Sequence, residues 1–591
     1  MSTAYVPQQP QHPQQPQPSG PAGAPPALPP TPPYASEATR LLCAGTYLDS
    51  GYRDRVIEEL QLNEQRIAAP SLGFDAARVL AHALRARRQE LLWAAAILGL
   101  WAVGLPLSGW LLAFFLLPSI ALAVAPWIDG FTVVPPLYRL IAAFLVRWWG
   151  RVFFTIALVL TLVIAFGGGS DGGSSSGSYN SYDSYDSYSG SSPGWGDLLV
   201  PGLSDIGGLA KPWHAWLALA ALAGIALCEH AQRTRFTRVL AAELSPQRFP
   251  DAANDPAEKA ENPRFQRLKQ RIRIEQDAPL IIYNEADPFC GAGAAYSTWV
   301  LAVELRRDEL KKEQQPIGNR AILERIRPLL EQLRIPAEYA GHGVRDRLRQ
   351  LEIDECVFLP AEGLPSRDQA PYTAQAFEEH RARAVEEGGE KRRHFLRIRV
   401  GGWEEELVVT VFVRLHTQGR MLVLEVAPHV LTPVRADFKD ADRTAHRFRN
   451  NNWVGKSAAA VVRVPGSVGR SLAQLARGAV YVWRLLTGGH AGALPEGPAL
   501  SVRELGAVDV GSHFQEMDVV RYLRSIQDRV AHGVRAALAE AGYETGEFVQ
   551  KIVNVSNDVS IGRVENSTFA VGSHATASGA AQQKGADSNG Q

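Results

Sequence analysis

LLWAAAILGLWAVGLPLSGWLLAFFLLPSIALAVAPWI, residues Leu91 to Ile128, holds no charged side chain. It is too long for one helix across a hydrocarbon core of ~30 Å, which takes about 20 residues. Gly104-Leu105-Pro106 and Ser108-Gly109 supply a turn near its middle. The stretch predicts a helical hairpin and makes the chain an integral membrane protein. Its first arm, Leu91 to Leu105, is short for a full crossing, so a tilted or re-entrant arm with snorkelling Arg87 and Arg88 is an alternative.

Two further spans are expected, Val152 to about Gly169 and Pro212 to Cys228, giving about four in a transmembrane region of residues 91–228. Arg85, Arg87 and Arg88 precede the hairpin, Arg139, Arg147 and Arg151 precede the third span, and Arg233, Arg235 and Arg238 follow the fourth. Between the last two spans Lys211 is the only basic residue. The positive-inside rule therefore places both termini in the cytoplasm of a multi-pass cell-membrane protein, with residues 167–211 outside. Trp127, Trp148, Trp149 and Trp213 sit near the expected boundaries. No Asp, Glu or Lys interrupts a predicted span, which fits an anchor better than a transporter.

Outward from these spans, composition divides the rest. Residues 1–34 are Pro- and Gln-rich and read as a disordered tail. Residues 35–90 carry two helical patterns broken at Pro70-Ser71, and predict two short cytoplasmic helices. The outside loop is Gly/Ser-rich, with Tyr179, Tyr182, Tyr185 and Tyr188 at every third position, and reads as a solvated linker. Residues 229–277 form a polar connector. The 591-residue chain has a formal net charge of zero, which argues against general nucleic-acid binding. Its four cysteines form no CxxC pair, and no HExxH, P-loop or kinase signature occurs, so neither a metal nor a cofactor is implied.

Residues 278–442 show α+β patterning. Pro279 to Tyr283 and Thr298 to Leu305 read as strands, and Ile322 to Leu333 as a helix that Pro328 should kink or split. Leu396, Ile398 and Val400 alternate with Arg397 and Arg399; Gly401-Gly402 offers a two-residue turn, and Leu407 to Leu415 pairs through Gly419 with Met421 to Val426. That predicts an antiparallel meander with one buried face.

Tyr47-Leu48-Asp49, Ala69-Pro70-Ser71, Ile282-Tyr283 with Pro288-Phe289, Gly291, Gly293 and Trp299, and Phe514 with Asp518-Val519-Val520 and Tyr522 together resemble a family of uncharacterised multi-pass membrane proteins from high-GC actinobacteria. The likeness spans about residues 40–550 with gaps. It implies location and architecture, and carries over no catalytic residue.

Two places invite a functional reading. In the loop after the first strand, Asp287, Cys290, Gly291 and Gly293 are candidate ligand-binding residues. Two glycines let backbone N–H groups approach an anion, although a tight turn around a buried thiol explains the same residues. In residues 443–490, Asp442 and Glu496 bracket a stretch without acidic residues, in which Arg463, Arg470, Arg477 and Arg484 recur every seventh residue. Seven residues return within about 20° of one helix face. The stripe fits a helix lying on anionic lipid headgroups, or one packed on protein with its arginines in water.

Residues 491–575 contain a helix over Met517 to Ala541, then short Gly/Asn-punctuated strands suited to pairing between copies; 576–591 read as disordered. The functional expectation is a membrane-anchored cytoplasmic scaffold or sensor, bound to the bilayer and self-associating or partner-binding. The alternative is a membrane-tethered enzyme with a site near the Asp287 to Gly293 loop.

Overall fold

The computed structural model describes residues 32–70, 73–130, 136–167, 212–259, 262–308, 315–334, 348, 350–387, 389–402, 406–450, 452–488 and 492–552. The predicted Pro/Gln-rich tail, outside loop and C-terminal strands fall on residues 1–31, 168–211 and 553–591, outside the described residues.

Three side-chain caps start the N-terminal layer. Ser36 accepts a hydrogen bond from the Thr39 N–H at the head of α1 (Glu37–Leu48), and Asp49 accepts from Gly51 and Tyr52 at α2 (Ser50–Ile57). Asp75 does the same with Ala77 and Arg78 at α3 (Ala76–Leu107). Each satisfies a helix N–H that has no intrahelical partner. The second predicted cytoplasmic helix is not separate, because α3 runs unbroken from it into the apolar sequence. Arg85 to Glu90 contains only helix formers, so nothing stops the helix before Pro106 and Ser108.

After a 3₁₀ segment at Leu111–Phe115 come α4 (Leu116–Gly130), α5 (Pro136–Gly167) and α6 (Pro212–Arg238). Three helices, Ala76–Leu107, Leu137–Phe166 and Pro212–Glu243, are long and apolar enough to cross a membrane, and Leu111–Ala125 is a shorter apolar helix. Small residues set their spacing: a Cβ on Gly104 would lie 3.1 Å from Ala221 Cβ, and one on Gly150 would lie 2.8 Å from Leu122.

Helix α7 (Pro263–Asp277) leads into a seven-stranded mixed sheet. Its strands are β1 (Leu280–Tyr283), β2 (Ala294–Ala295), β3 (Trp299–Glu304), β4 (Leu351–Pro360), β5 (Arg393–Gly402), β6 (Leu407–Gln418) and β7 (Met421–Leu431). Helices α8 (Asn319–Glu331) and α9 (Ala374–Glu387) fall between strands, and α10 (Ala441–Asn450), α11 (Trp453–Val461), α12 (Ser467–Thr487) and α13 (His513–Glu540) follow. The spatial order is β1-β4-β5-β6-β7-β2, with β3 also on β7. β1 lies parallel to β4 and the other pairs are antiparallel.

Ile398, Val400, Val411 and Val413 on one face pack against Ile326 of α8 and Val519, Ile526 and Val530 of α13. The expectation of a single buried face needs correcting. Phe358, Phe395, Phe412 and Ala427 build a second core on the other face with Phe289 packed against it. Arg397 on that face is held by Asp354 at 2.8 Å, so its charge is paired where alternation alone predicted solvent.

The two-residue turn at Gly401-Gly402 is also corrected: both residues continue β5, paired with Val408 and Leu407. A Cβ on Gly402 would lie 3.2 Å from the Tyr522 hydroxyl, so the glycine makes room for α13 instead of reversing the chain. Pro328 neither splits nor ends α8 at once; it sits in the final turn, followed by a 3₁₀ segment at Gln332–Arg334.

α8 and α13 touch through Gly533, where an added Cβ would stand 2.9 Å from Ile326 Cα. Alanine gains about 1 kcal/mol of helix propensity over glycine, but backbone on the opposite side cannot yield easily. Gly533→Ala is therefore expected to destabilise the protein by about 1–3 kcal/mol, as core overpacking does. A thermal-unfolding midpoint that rises in this variant would show the contact to be loose.

Candidate functional site

β1 ends in a turn in which the Asp287 N–H donates to the Asn284 carbonyl at 3.1 Å and the Ala286 N–H donates to Asn284 Oδ1 at 3.1 Å. The chain then passes Cys290 and reaches Gly291 and Gly293, with φ of +99° and +92°. A Cβ at Gly291 would lie 2.6 Å from the Pro70 carbonyl oxygen, and one at Gly293 would lie 2.2 Å from that of Val430. Both positions thus combine left-handed backbone with close approach, which only glycine tolerates.

The glycine N–H groups do converge on an anion-binding position, and the protein supplies the occupant. Gly291 and Gly293 donate to Glu504 Oε1 at 2.9 and 2.8 Å. Glu504 lies on a single helical turn, Val502–Leu505, in the segment that links α12 to α13. Burial drives its pKa up to about 7, against the two N–H donors, which favour the carboxylate. Burial also raises the pKa of Asp287.

His429 on β7 stacks 4.5 Å from the Phe289 ring, and its Nδ1 lies 3.2 Å from the Ala427 carbonyl. Burial lowers its pKa to about 4, so the ring is neutral at physiological pH. Asp287, Gly293, His429 and Glu504 line a cavity of about 430 Å³, bounded by the glycine loop, the end of β7 and residues 500–509. Asp287, Glu504 and Asp509 give it three carboxyl groups, and among its lining residues none is Lys or Arg.

Asp287 and Gly293 of the sequence-predicted set thus share the cavity wall, whereas Cys290 and Gly291 do not line it. Cys290 turns into an apolar cleft with Ile281, Phe289, Phe358 and Phe412, and burial lifts its thiol well above the ordinary range. A buried thiol of this kind is a poor nucleophile. Glu504 and His429 escaped the sequence reading.

The arginine stripe lies elsewhere: Arg470, Arg477 and Arg484 are along α12 and Arg463 is in the turn before it. Arg470 pairs with Glu229 of α6 at 2.8 Å, Arg477 donates to Ser50 at 3.2 Å and reaches Asp54 at 3.7 Å, and Arg484 pairs with Glu58 at 2.6 Å. Arg463 stands among Arg233, Glu229 and Arg470. Three of the four therefore meet carboxylates of this chain. Among the described residues, no group of His, Cys, Asp and Glu is arranged to hold a metal ion.

Residues 298–573 match the family model of the AbeC-like domain, which takes in His429, Glu504 and the arginine stripe and begins after the glycine loop. No curated protein and no solved structure matches the chain. The likeness covers less than half of the 591 residues and brings no activity with it.

Glu504 has a stability signature. Its folded pKa, about 7, lies above the ordinary 4.5, so the folded state holds the proton more tightly and its contribution is fully present below pH 4.5. That contribution is lost as pH rises through 7, by on the order of 3 kcal/mol at most. Glu504→Gln keeps an oxygen acceptor for both glycines and removes the titration. The expected result is a smaller loss of stability between pH 5 and pH 8 than in the parent; an unchanged slope would place the proton uptake elsewhere.

Proposed function

We propose that this protein is a membrane-anchored sensor whose cytoplasmic sheet domain binds a small cationic, hydrogen-bond-donating ligand in the cavity over Glu504. The observation that carries the reading is the lining itself: three carboxyl groups, a neutral imidazole and no basic side chain around about 430 Å³. A protonated amine or guanidinium entering there compensates Glu504, which burial leaves poorly solvated, with Asp287 and Asp509 at the exposed rim. By the same linkage, a cation favours the ionised form of Glu504 and expels its proton.

The anchor in this reading crosses the cell membrane four times, the second time through the shorter Leu111–Ala125 helix, with both termini in the cytoplasm. The arginine distribution supports that orientation. Ligand binding has a route to the candidate spans through α12, which precedes the segment carrying Glu504 in the chain and packs against α3, α4 and α6. Copies would associate through the C-terminal strands.

A second reading, a membrane-tethered enzyme, is favoured by one fact: a carboxyl group with a pKa near neutrality beside a neutral imidazole is suited to acid–base work. Binding and turnover separate the two.

The test is thermal stability of the full chain in detergent with methylguanidinium, ethylammonium or propionate, at pH 6 and pH 8. The cations are expected to raise the unfolding midpoint, more at pH 8 than at pH 6, and Glu504→Gln to abolish the pH difference. Stabilisation by propionate alone, or an equal cation response in the variant, would contradict the reading.

A further inference from the structure

Helix α12 lies antiparallel along α3. The Trp101 indole N–H is 3.5 Å from Ser467 Oγ, a Cβ on Gly478 would fall 2.7 Å from Leu91, and the Arg87 guanidinium donates to the Arg477 carbonyl at 3.1 Å. Trp101 is ten residues beyond Leu91 on α3. At 1.5 Å per residue that is ~15 Å, half the thickness of a hydrocarbon core. The first half of α12 is therefore level with the apolar part of α3, and its second half rises beside the charged part.

Other contacts agree on that depth. Val464 and Val468 belong to the same buried cluster as Trp101, Phe115, Phe154 and Leu222. A Cβ on Gly469 would lie 2.0 Å from that of Ala123 on α4, so those two backbones almost touch. Glu229 of α6, buried within a candidate span, is neutralised by Arg470. A pair of this kind compensates two charges that hydrocarbon would otherwise penalise.

With about 100° between successive residues, Ser467, Ser471, Gln474, Gly478 and Tyr481 form the packed face. The arginines run along one edge. Diametrically opposite lie Leu472, Ala476, Ala479, Val480 and Trp483, all exposed and none charged, with Trp483 at 67%. A helix face turned to water would be polar there. The outer side of α12 is uncharged like the exposed side of α5, where Ile156, Val159 and Val163 are uncovered.

We propose that α11 and α12 form a re-entrant hairpin inserted from the cytoplasmic side into the inner leaflet, and that its occupant is lipid acyl chain, met by the apolar outer face of α12. Leu472 and Ala476 contact hydrocarbon. Trp483 lies in the headgroup layer, where an indole is at home. The arginine stripe runs along the edge of α12 that meets α6 and the N-terminal layer, and the bilayer contact belongs to the uncharged outer side of the helix. This inference does not depend on the ligand cavity.

The test is spin-label accessibility in the full chain reconstituted in bilayers. Cys43, Cys290 and Cys356 are buried, so a Cys228→Ser background leaves engineered sites to label. Leu472→Cys and Ala476→Cys are compared with Val159→Cys, on the exposed side of α5, and Arg320→Cys, on the exposed surface of α8. Labels at 472 and 476 are expected to collide with oxygen and exclude a water-soluble nickel chelate, as at 159. Nickel access like that at 320 would overturn the proposal, and protection from both colliders would overturn it in favour of a covering protein surface.

Discussion

A single carboxylate oxygen, Glu504 Oε1, ties together three parts of the chain that are far apart in sequence. Its donors, Gly291 and Gly293, are 213 and 211 positions away, and Gly291 itself abuts the Pro70 carbonyl of the N-terminal layer. Two opposing effects act on it: amide donors that favour the charge and burial that disfavours it, with burial the larger. A carboxyl group balanced in this way changes charge near neutral pH, and it does so in the wall of a cavity. Left-handed glycines, the course of residues 500–509 and the placement of β7 are all needed to build that position.

Buried ion pairs tie the helical N-terminal layer to the connector and the sheet domain. Arg367 and Glu275 form a buried pair at 2.5 Å between the sheet side and α7, and Glu275 also accepts from the Ala68 N–H. Arg78 and His82 of α3 both reach Asp255 Oδ2, at 2.7 and 3.0 Å, which seats α3 on the connector. Buried charges cost desolvation and are kept only where partners meet them. α12 completes the joint, since it touches α3, α4 and α6 and then runs directly into the segment that carries Glu504.

Much of this was legible in the sequence, and what was missed has a physical reason. Apolar length located the three helices long enough to cross a membrane, and apolar runs or alternation located β1, β3 and β5 to β7, because those patterns are local. β4 carries the same signal in Leu351, Ile353, Val357 and Leu359, yet acidic residues between them masked it. Phe289 and the second aromatic core were invisible because both faces of a sheet strand are buried only if a distant loop folds over one of them. The glycine loop reads in the sequence as a tight turn or an anion-approach site, and nothing local in Val502-Arg503-Glu504-Leu505 shows that its carboxyl group fills that position, because only tertiary contacts bring the two together. Seven-residue spacing groups Arg470, Arg477 and Arg484 along one edge of α12, with Arg463 in the turn before it; which side meets protein depends on carboxylates in the N-terminal layer and α6.

The most direct measurement is infrared difference spectroscopy of the full chain across pH 5 to 9, parent minus Glu504→Gln. The account predicts a protonated-carboxyl C=O band that disappears with a midpoint near pH 7 and belongs to Glu504 alone. A difference spectrum without that band, or one titrating in the ordinary carboxylate range near 4.5, would contradict it.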